Sequence, residues 1–283
     1  MVERLEARAD AGHDGPSAPA SGTGGEDAEW PTARQAHDSA LLLAIYRTLL
    51  AHYGAQGWWP TVTGSRWEVM LGAVLVQRTT WGNAARALAN LRSALGLEGL
   101  SDPAALLGLP DDRLAEVLRP AGHFNRKPRT LKLLAGLVLE LGGVEALALS
   151  NEPAARLRVK LLGTWGIGPE TSDAILLYAL GRPVFVADAY TLRLGTRWGL
   201  LAPNATYDEV QRTFRDNLPV EAALFNEYHA LIVEHGKQIC RPVPLCDLCP
   251  LSKPVALNTG EQGAAWRCPR KYVVRDGRAA GAP

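Results

Sequence analysis

The chain has 283 residues, 47% hydrophobic and 21% charged, which is enough apolar material for one large or two medium cores and unlike a fibrous protein. No apolar run reaches the length of a spanning helix, and the start MVERLEARAD is charged where a signal peptide needs an apolar stretch, so a cytoplasmic, nucleoid-associated setting is expected. The net charge of +1 hides an asymmetry: residues 1 to 36 hold seven acidic and three basic residues, leaving 22 acidic against 27 basic, about +5, on the remainder.

Residues 1 to 36 are rich in Ala, Gly, Ser, Pro and Glu and lack periodicity, which predicts a disordered extension. From Ser39 the chain turns helical. SALLLAIYRTLLAHY carries an apolar stripe, and RWEVMLGAVLV, NAARALANLRSAL, DDRLAEVLRP, KPRTLKLLAGLVLELGG and EPAARLRVKLLG follow as helices. Pro128 near a helix start and Gly142 beyond its end obey the usual asymmetry of helix termini. After a glycine-framed turn, AYTLRLGTRWG, TYDEVQRTFRDNL and EAALFNEYHALIVEHG complete the pattern. There is no internal repeat and no alternating run long enough for a substantial sheet, so the fold class is all-α. From Trp266 to Arg278, Arg267, Arg270, Lys271, Arg275 and Arg278 face Asp276 alone, a strip suited to phosphates or an ordinary solvated terminus.

The segment LLGTWGIGPETSDAILLYALGRPVFVADAYTLRLG, residues 161 to 195, carries the chemistry. Gly166 and Gly168 frame a hairpin that permits positive φ and leaves backbone N–H groups bare near the helix starting at Pro169, where the helix dipole favours a phosphate. Asp188 precedes AYTLRL and is expected as an N-cap, a position that favours the ionised carboxylate. Such a carboxylate can stabilise the positive charge that builds on a sugar as an N-glycosidic bond breaks, and can orient or deprotonate an attacking water. Read in isolation, an aspartate before a helix is only a cap. Trp58 and Trp59 lie between two helical stretches, where both cannot fill one side of a core; they are candidates to stack on an extruded base, with cation–π attraction for an alkylated purine cation. The histidines His123, His229 and His235 show no metal spacing and read as packing or surface residues.

Cys240, Cys246, Cys249 and Cys268 are all the cysteine in the chain, spaced C-x5-C-x2-C-x18-C. In an intracellular protein such a group is more often a metal site than a pair of disulfides, and zinc usually brings two C-x-x-C pairs where this chain has one.

The glycines, Thr171 and Asp188 together resemble the helix-hairpin-helix and catalytic loop of the endonuclease III superfamily of DNA glycosylases, L-x-G-(I/V)-G-x-K-T-A followed by V-D-(T/A). The resemblance spans residues 40 to 250 and implies two helical lobes with a DNA-binding cleft between them. A helical barrel would span 61–182, with its hairpin at 161–181, and a cluster lobe would join 37–60 to 183–283. It assigns Gly166, Ile167, Gly168 and Thr171 to DNA, and Gln77 to the gap left by a flipped nucleotide. In AGHFNRKPRTLK, Asn125 and Lys127 become candidates for helix capping and phosphate contact. Where relatives that also cut the backbone have lysine, this chain has Glu170, which cannot form the Schiff base that β-elimination needs. Glu170 is either a first-turn acid suited to the dipole or a pocket residue beside a cationic base. The local pattern, with Trp58-Trp59-Pro60, is closest to the monofunctional 3-methyladenine glycosylases, which places Trp58 and Trp59 at a base pocket; Tyr190, two residues from Asp188, either lines the same pocket or packs. HGKQICRPVPLCDLCPL resembles the loop that holds a 4Fe-4S cluster, with zinc or an empty site as alternatives and the insertion before Cys268 as a departure. These features together imply a monomeric base excision repair enzyme on double-stranded DNA, hydrolysing the bond to a damaged base with Asp188. An endonuclease III paralogue for oxidised pyrimidines and a catalytically silent damaged-DNA binder are the alternatives.

Overall fold

The computed structural model describes residues 33–123, 125–259, 263–270, 274–275 and 278–279. The expected disorder of residues 1 to 36 falls, up to residue 32, outside the described residues, as do Lys271 and the side chains of Arg275 and Arg278 in the basic tail. The extension is shorter than expected, because Ala33 already opens α1 (Ala33–Tyr53).

Every helix read from periodicity is present: α2 (Arg66–Leu75), α3 (Trp81–Leu100), α5 (Asp111–Val117), α6 (Lys127–Glu140), α8 (Ala154–Leu162), α10 (Ala189–Trp198), α11 (Tyr207–Arg215) and α12 (Ala222–Gln238). Two short helices were not legible, since α4 (Pro103–Leu107) and α7 (Val144–Leu149) are too brief to show a period, whereas α9 (Pro169–Ala174) starts at Pro169 as the hairpin reading expects. α3 is broken at Gly96, whose φ of 76° lies outside helical space. A π-helical turn over Ile175–Ala179 continues α9.

Side-chain caps fix the helix starts: Ser65 on α2, Thr80 on α3, Asp102 on α4, and a complete Thr206–Glu209 capping box on α11. Two small antiparallel hairpins follow α12. β1 (Val255–Ala256) pairs with β2 (Ala265–Trp266), and β3 (Val274–Arg275) with β4 (Arg278–Ala279).

α2 packs on α3, α6 and the π turn, and α4 lies against α3 and α6, while α12 gathers α1 and α10. One continuous apolar cluster runs through both groups, so the core is single and large. Its aromatic centre is Phe185 stacked on Phe214 at 4.4 Å, with Phe225 and Tyr228 edge-on. Among the described residues no helix is long and apolar enough to cross a membrane.

Candidate active site

The hairpin is held by shape at one glycine and not at the other. Gly166 has φ +88°, and a Cβ there would stand 2.1 Å from Thr130 Oγ1, so both backbone and space demand glycine. Gly168 has φ −98° and ψ 179° and open space around it, which corrects the expectation that both glycines need positive φ. No side chain caps α9. The Ile167 side chain is buried and its N–H is used by Thr164 O, so within the turn Ile167 is a core anchor. Thr171 is buried too, and its hydroxyl accepts a hydrogen bond from Gln77 Nε2 at 2.8 Å. The same Nε2 donates to Gly166 O at 3.1 Å. Gln77 and Thr171 therefore brace the hairpin in this conformation instead of presenting free polar groups.

Beside the hairpin lies a groove of about 520 Å³ lined by Gln77, Arg78, His123, Arg126, Gly166, Gly168 and Glu170. Arg78 and His123 have φ of 53° and 46°, a strained backbone of the kind that collects at functional sites. Outside the hairpin, Trp165 is 38% exposed, with the guanidinium groups of Arg126 and Arg129 at 5.1 and 4.5 Å from its ring. Lys127 does not join this surface. It is 3% exposed and its ammonium donates to the carbonyls of Leu75, Gln77 and Ala121, so it caps the end of α2 and cannot reach a phosphate. Burial lowers its pKa to about 8. Asn125 does not cap α6, since the N-cap position is Arg126 and no side chain bonds there.

Asp188 is the N-cap of α10. Its Oδ1 accepts from the Thr191 amide at 2.7 Å and the Thr191 hydroxyl at 2.8 Å. Its Oδ2 faces His229 Nε2 at 3.7 Å, ion-pair distance but too long for a hydrogen bond, and the side chain is only 11% exposed. Burial by itself would raise the carboxyl pKa, but His229 and the Thr191 donors outweigh it and hold the group below its ordinary value. Glu170, on the first turn of α9, touches water yet sits in the concave side of the cleft. Loss of solvent there, then the charge of Asp188, raises its pKa against the opposing pull of His229.

Around Asp188 stand Trp58, which the sequence singled out, and Tyr178, His229 and Lys237, to which it gave no role in the site. Tyr178, on the π turn, lies 2.5 Å from His229 Nδ1 through its hydroxyl. Trp58 approaches Tyr178 and His229 with ring centroids 6.0 and 5.9 Å away, and the Lys237 ammonium lies 5.6 Å from the Trp58 ring. His229 is thus no bland packing residue. A histidine within an apolar helix gives no signal of its own, because its partners come from distant segments.

The two tryptophans divide. Trp59 is wedged among Trp58, Trp81 and Tyr178, and its indole N–H, with no acceptor among the described residues, lies where a Cβ at Gly72 would meet it at 2.7 Å. The loop that carries both is pinned by Asn226 to Trp58 O, by Glu227 to Gln56 N, and by buried Glu68, which accepts from Val62 N, Thr63 N and the Thr63 hydroxyl. Tyr190 is elsewhere: its ring packs at Gly236 with Arg193 over it at 4.9 Å, so its recorded contacts brace α10 on α12 and do not reach Trp58.

All four cysteines are unbonded and line one cavity together with Arg197, Trp198 and His235. The β1–β2 hairpin absorbs the insertion and returns Cys268, whose N–H bonds Leu251 O at 3.0 Å. Burial raises all three innermost thiols, Cys249 to about 12 and Cys268 to about 11, with Cys240 also up. Among the described residues no three His, Cys, Asp or Glu side chains are close enough to hold one metal ion. Arg197 donates to Cys240 O, Cys240 Sγ, Arg241 O and Pro242 O, and Arg193 to Cys240 O and Gly236 O. Helix α10 therefore carries Asp188 at one end and grips the cysteine loop with its body.

Residues 71–220 match the HhH-GPD superfamily of base excision DNA repair proteins. A protein of Methanocaldococcus jannaschii, assigned by inference as a DNA repair glycosylase, is 44% identical over 214 residues, 75% of this chain and 94% of its own. Endonuclease III of Sulfolobus acidocaldarius is 26% identical over 189 residues, 66% of this chain and 80% of the relative. The crystal structure of H. pylori 3-methyladenine DNA glycosylase bound to 1,N6-ethenoadenine superposes with a TM-score of 0.60 at 28% identity, covering 71% of this chain and 97% of that one. The chain belongs to the HhH-GPD superfamily and is a DNA glycosylase of base excision repair.

Proposed function

We propose that this protein removes a damaged base, an alkylated purine by preference, from double-stranded DNA by hydrolysis, with Asp188 as the acting carboxylate. The observation that carries this is the asymmetry of Asp188: it is buried and ionised, one oxygen is saturated by Thr191, and the other keeps its charge for a neighbour. When the glycosidic bond breaks, the base leaves with the electron pair, positive charge builds on the sugar, and a fixed carboxylate offsets it without reorganising. Water then bonds the sugar carbon and gives up a proton. Glu170, raised by the cleft and by Asp188, is placed to hold that water or face the base, and having no amine it leaves no Schiff-base route from this position. Efficient AP-lyase activity is therefore not expected.

The groove beside Gly166 and Gly168, with Arg78 and Arg126 on its wall, suits a phosphate at the α9 terminus. The target base must leave the stack to reach Asp188, whose side chain is largely covered, so Trp58 or Lys237 gives way as it enters. Trp58 is the stacking surface and Trp59 its support. Lys237 already occupies a cation's place at the Trp58 ring, which favours neutral lesions over cationic ones; the H. pylori relative was crystallised with a neutral modified purine.

The cysteine cavity fits a 4Fe-4S cluster. All four cysteines of the chain line this one cavity, the complement of thiolates such a cluster takes. Burial keeps these thiols protonated, and a bound metal centre would take them as thiolates with release of their protons. The cluster would brace the loop that Arg193 and Arg197 tie to α10.

The deciding assay incubates the protein with labelled duplexes carrying 3-methyladenine, 7-methylguanine, ethenoadenine, thymine glycol or uracil, each split with and without hot alkali. Breaks only after alkali support hydrolysis and name the lesion. Breaks without alkali overturn the argument from Glu170, and silence on every lesion favours a damaged-DNA binder.

A further inference from the structure

The hydroxyl of Tyr178 lies against one ring nitrogen of His229 and Asp188 faces the other. Burial, then the charges of Asp188 and Glu227, holds the Tyr178 phenol well above its ordinary pKa, so the hydroxyl keeps its hydrogen. Its recorded partner is His229 Nδ1, at 2.5 Å. A phenol hydrogen enclosed by protein requires an acceptor, and Nδ1 can accept only with its lone pair free. A neutral imidazole with a lone pair on Nδ1 carries its hydrogen on Nε2. That nitrogen is buried, has no hydrogen-bond partner among the described residues, and is aimed at Asp188 Oδ2 from 3.7 Å.

We propose that Tyr178 locks His229 in the neutral Nε2–H tautomer, making His229 a positioning residue that steers the free oxygen of Asp188 toward the reacting sugar without neutralising its charge. The inference deepens the reading of Asp188 as the acting carboxylate and rests on it.

The lock matters because the two charge states of His229 have opposite effects. A second proton must land on Nδ1, where it displaces the Tyr178 bond. The resulting imidazolium would sit beside Oδ2 and take up the field that the developing sugar cation needs. Negative charge reaches this pair from Asp188 at the start of α10 and Glu170 on α9, both beside His229, and from Glu227 on α12 at Tyr178, while the Lys237 ammonium lies at the Trp58 ring. Against that charge stands the hydroxyl of Tyr178 on Nδ1, with Trp58 edge-on to the ring at 5.9 Å. A counter-ion role for His229 would need no phenol on Nδ1.

The test uses the full chain with its cysteine site intact and 15N-labelled histidine. The ring nitrogens of His229, identified by their loss in His229→Gln, are followed from pH 5 to 9. The expected result is the Nε2–H tautomer at pH 7.5. In Tyr178→Phe the Nδ1–H form gains population and the titration midpoint rises by roughly one pH unit or more, a tenfold change in proton affinity. An imidazolium or Nδ1–H ring at pH 7.5 in the wild type, or an unchanged titration in Tyr178→Phe, overturns the proposal. Single-turnover excision of the lesion found in the alkali assay gives the second readout. Its acid limb should move up with Tyr178→Phe and flatten in His229→Gln, which keeps a donor but cannot titrate. An acid limb unmoved by either variant also overturns the proposal. Asp188→Asn separates the two readings: full activity there overturns the role of Asp188, whereas an inert Asp188→Asn with a Tyr178-independent titration overturns only the lock.

Discussion

Two buried aspartates on neighbouring helices separate structure from chemistry. Asp173, fully buried on α9, takes both nitrogens of the Arg158 fork at 2.7 and 3.1 Å, the Tyr207 hydroxyl at 2.7 Å and Gln211 Nε2 at 2.8 Å. Both oxygens are engaged by donors, and the result is a strut joining α8, α9 and α11. Asp188 has the same side chain, but only one of its oxygens is satisfied. A carboxylate with full coordination has its charge spent within the fold; one with a spare oxygen in a dry site keeps its field for whatever cation forms nearby. The difference lies in the neighbours and not in the residue type.

The largest test of this contrast exchanges each aspartate for asparagine. Asp188→Asn should slow single-turnover excision about 10²–10⁴-fold. Asparagine also caps helices, so urea stability and duplex affinity should change little. Asp173→Asn should do the reverse, costing roughly 2–4 kcal/mol of stability by turning a buried amide toward donors that need a carboxylate and leaving the half-buried Arg158 without its partner. Its excision rate per folded molecule in the cold should stay near wild type. If Asp173→Asn stopped chemistry in a stable protein, the division would collapse.

The cysteine loop extends the comparison, because α10 links it to Asp188. Cys268→Ser should remove the visible absorption of a bound cluster and lower the melting temperature and the excision rate together. A protein that kept its colour would put Cys268 outside the ligand set.

At the hairpin the contrast is between two glycines. Gly166→Ala should cost about 2–4 kcal/mol in urea unfolding, from the left-handed backbone and the collision with Thr130. Gly168→Ala should stay within about 1 kcal/mol of wild type. It should still weaken duplex binding, since a methyl group there would stand where a phosphate approaches the α9 terminus.

Acid titration sharpens the picture of Asp188. Its folded pKa lies below its unfolded value, so the ionised group stabilises the fold above about pH 4 and loses that contribution as pH falls through the folded value. Between pH 6 and 3, the urea midpoint of Asp188→Asn should therefore fall less steeply than that of the wild type.

The smallest expected effect is at the Trp165 face. Arg126→Ala and Arg129→Ala should each reduce the slope of log affinity against log salt by about 1, leaving the excision rate at saturating protein unchanged. An unaltered slope would remove this face from the DNA footprint.

What could be read in advance follows from how far apart the partners lie. The long helices were legible because an apolar stripe repeats within a single segment. The hairpin was legible because its demand on Gly166 is backbone geometry, and Asp188 because a cap sits directly before its helix. For Lys127 the sequence left helix capping and phosphate contact both open, since a lysine beside a helix start looks the same whether solvent or three carbonyls surround it; the three carbonyls decide for capping, at the end of α2. Nearness to Asp188 in sequence left Tyr190 open to the pocket or to packing, and the helix turns its ring toward Gly236.

The sequence by itself determined a mostly helical chain, a glycine hairpin, a capping aspartate and a set of four cysteines. Tertiary structure alone decided that Trp58, Tyr178, Asp188 and His229, from four separate segments, share one site, that Trp59 supports it, and that a β-hairpin returns Cys268 to the other three thiols. The physical reason is range. Helix periodicity, caps and turns act over a few residues and leave a pattern in the chain, whereas desolvation and the meeting of distant side chains depend on packing and leave none.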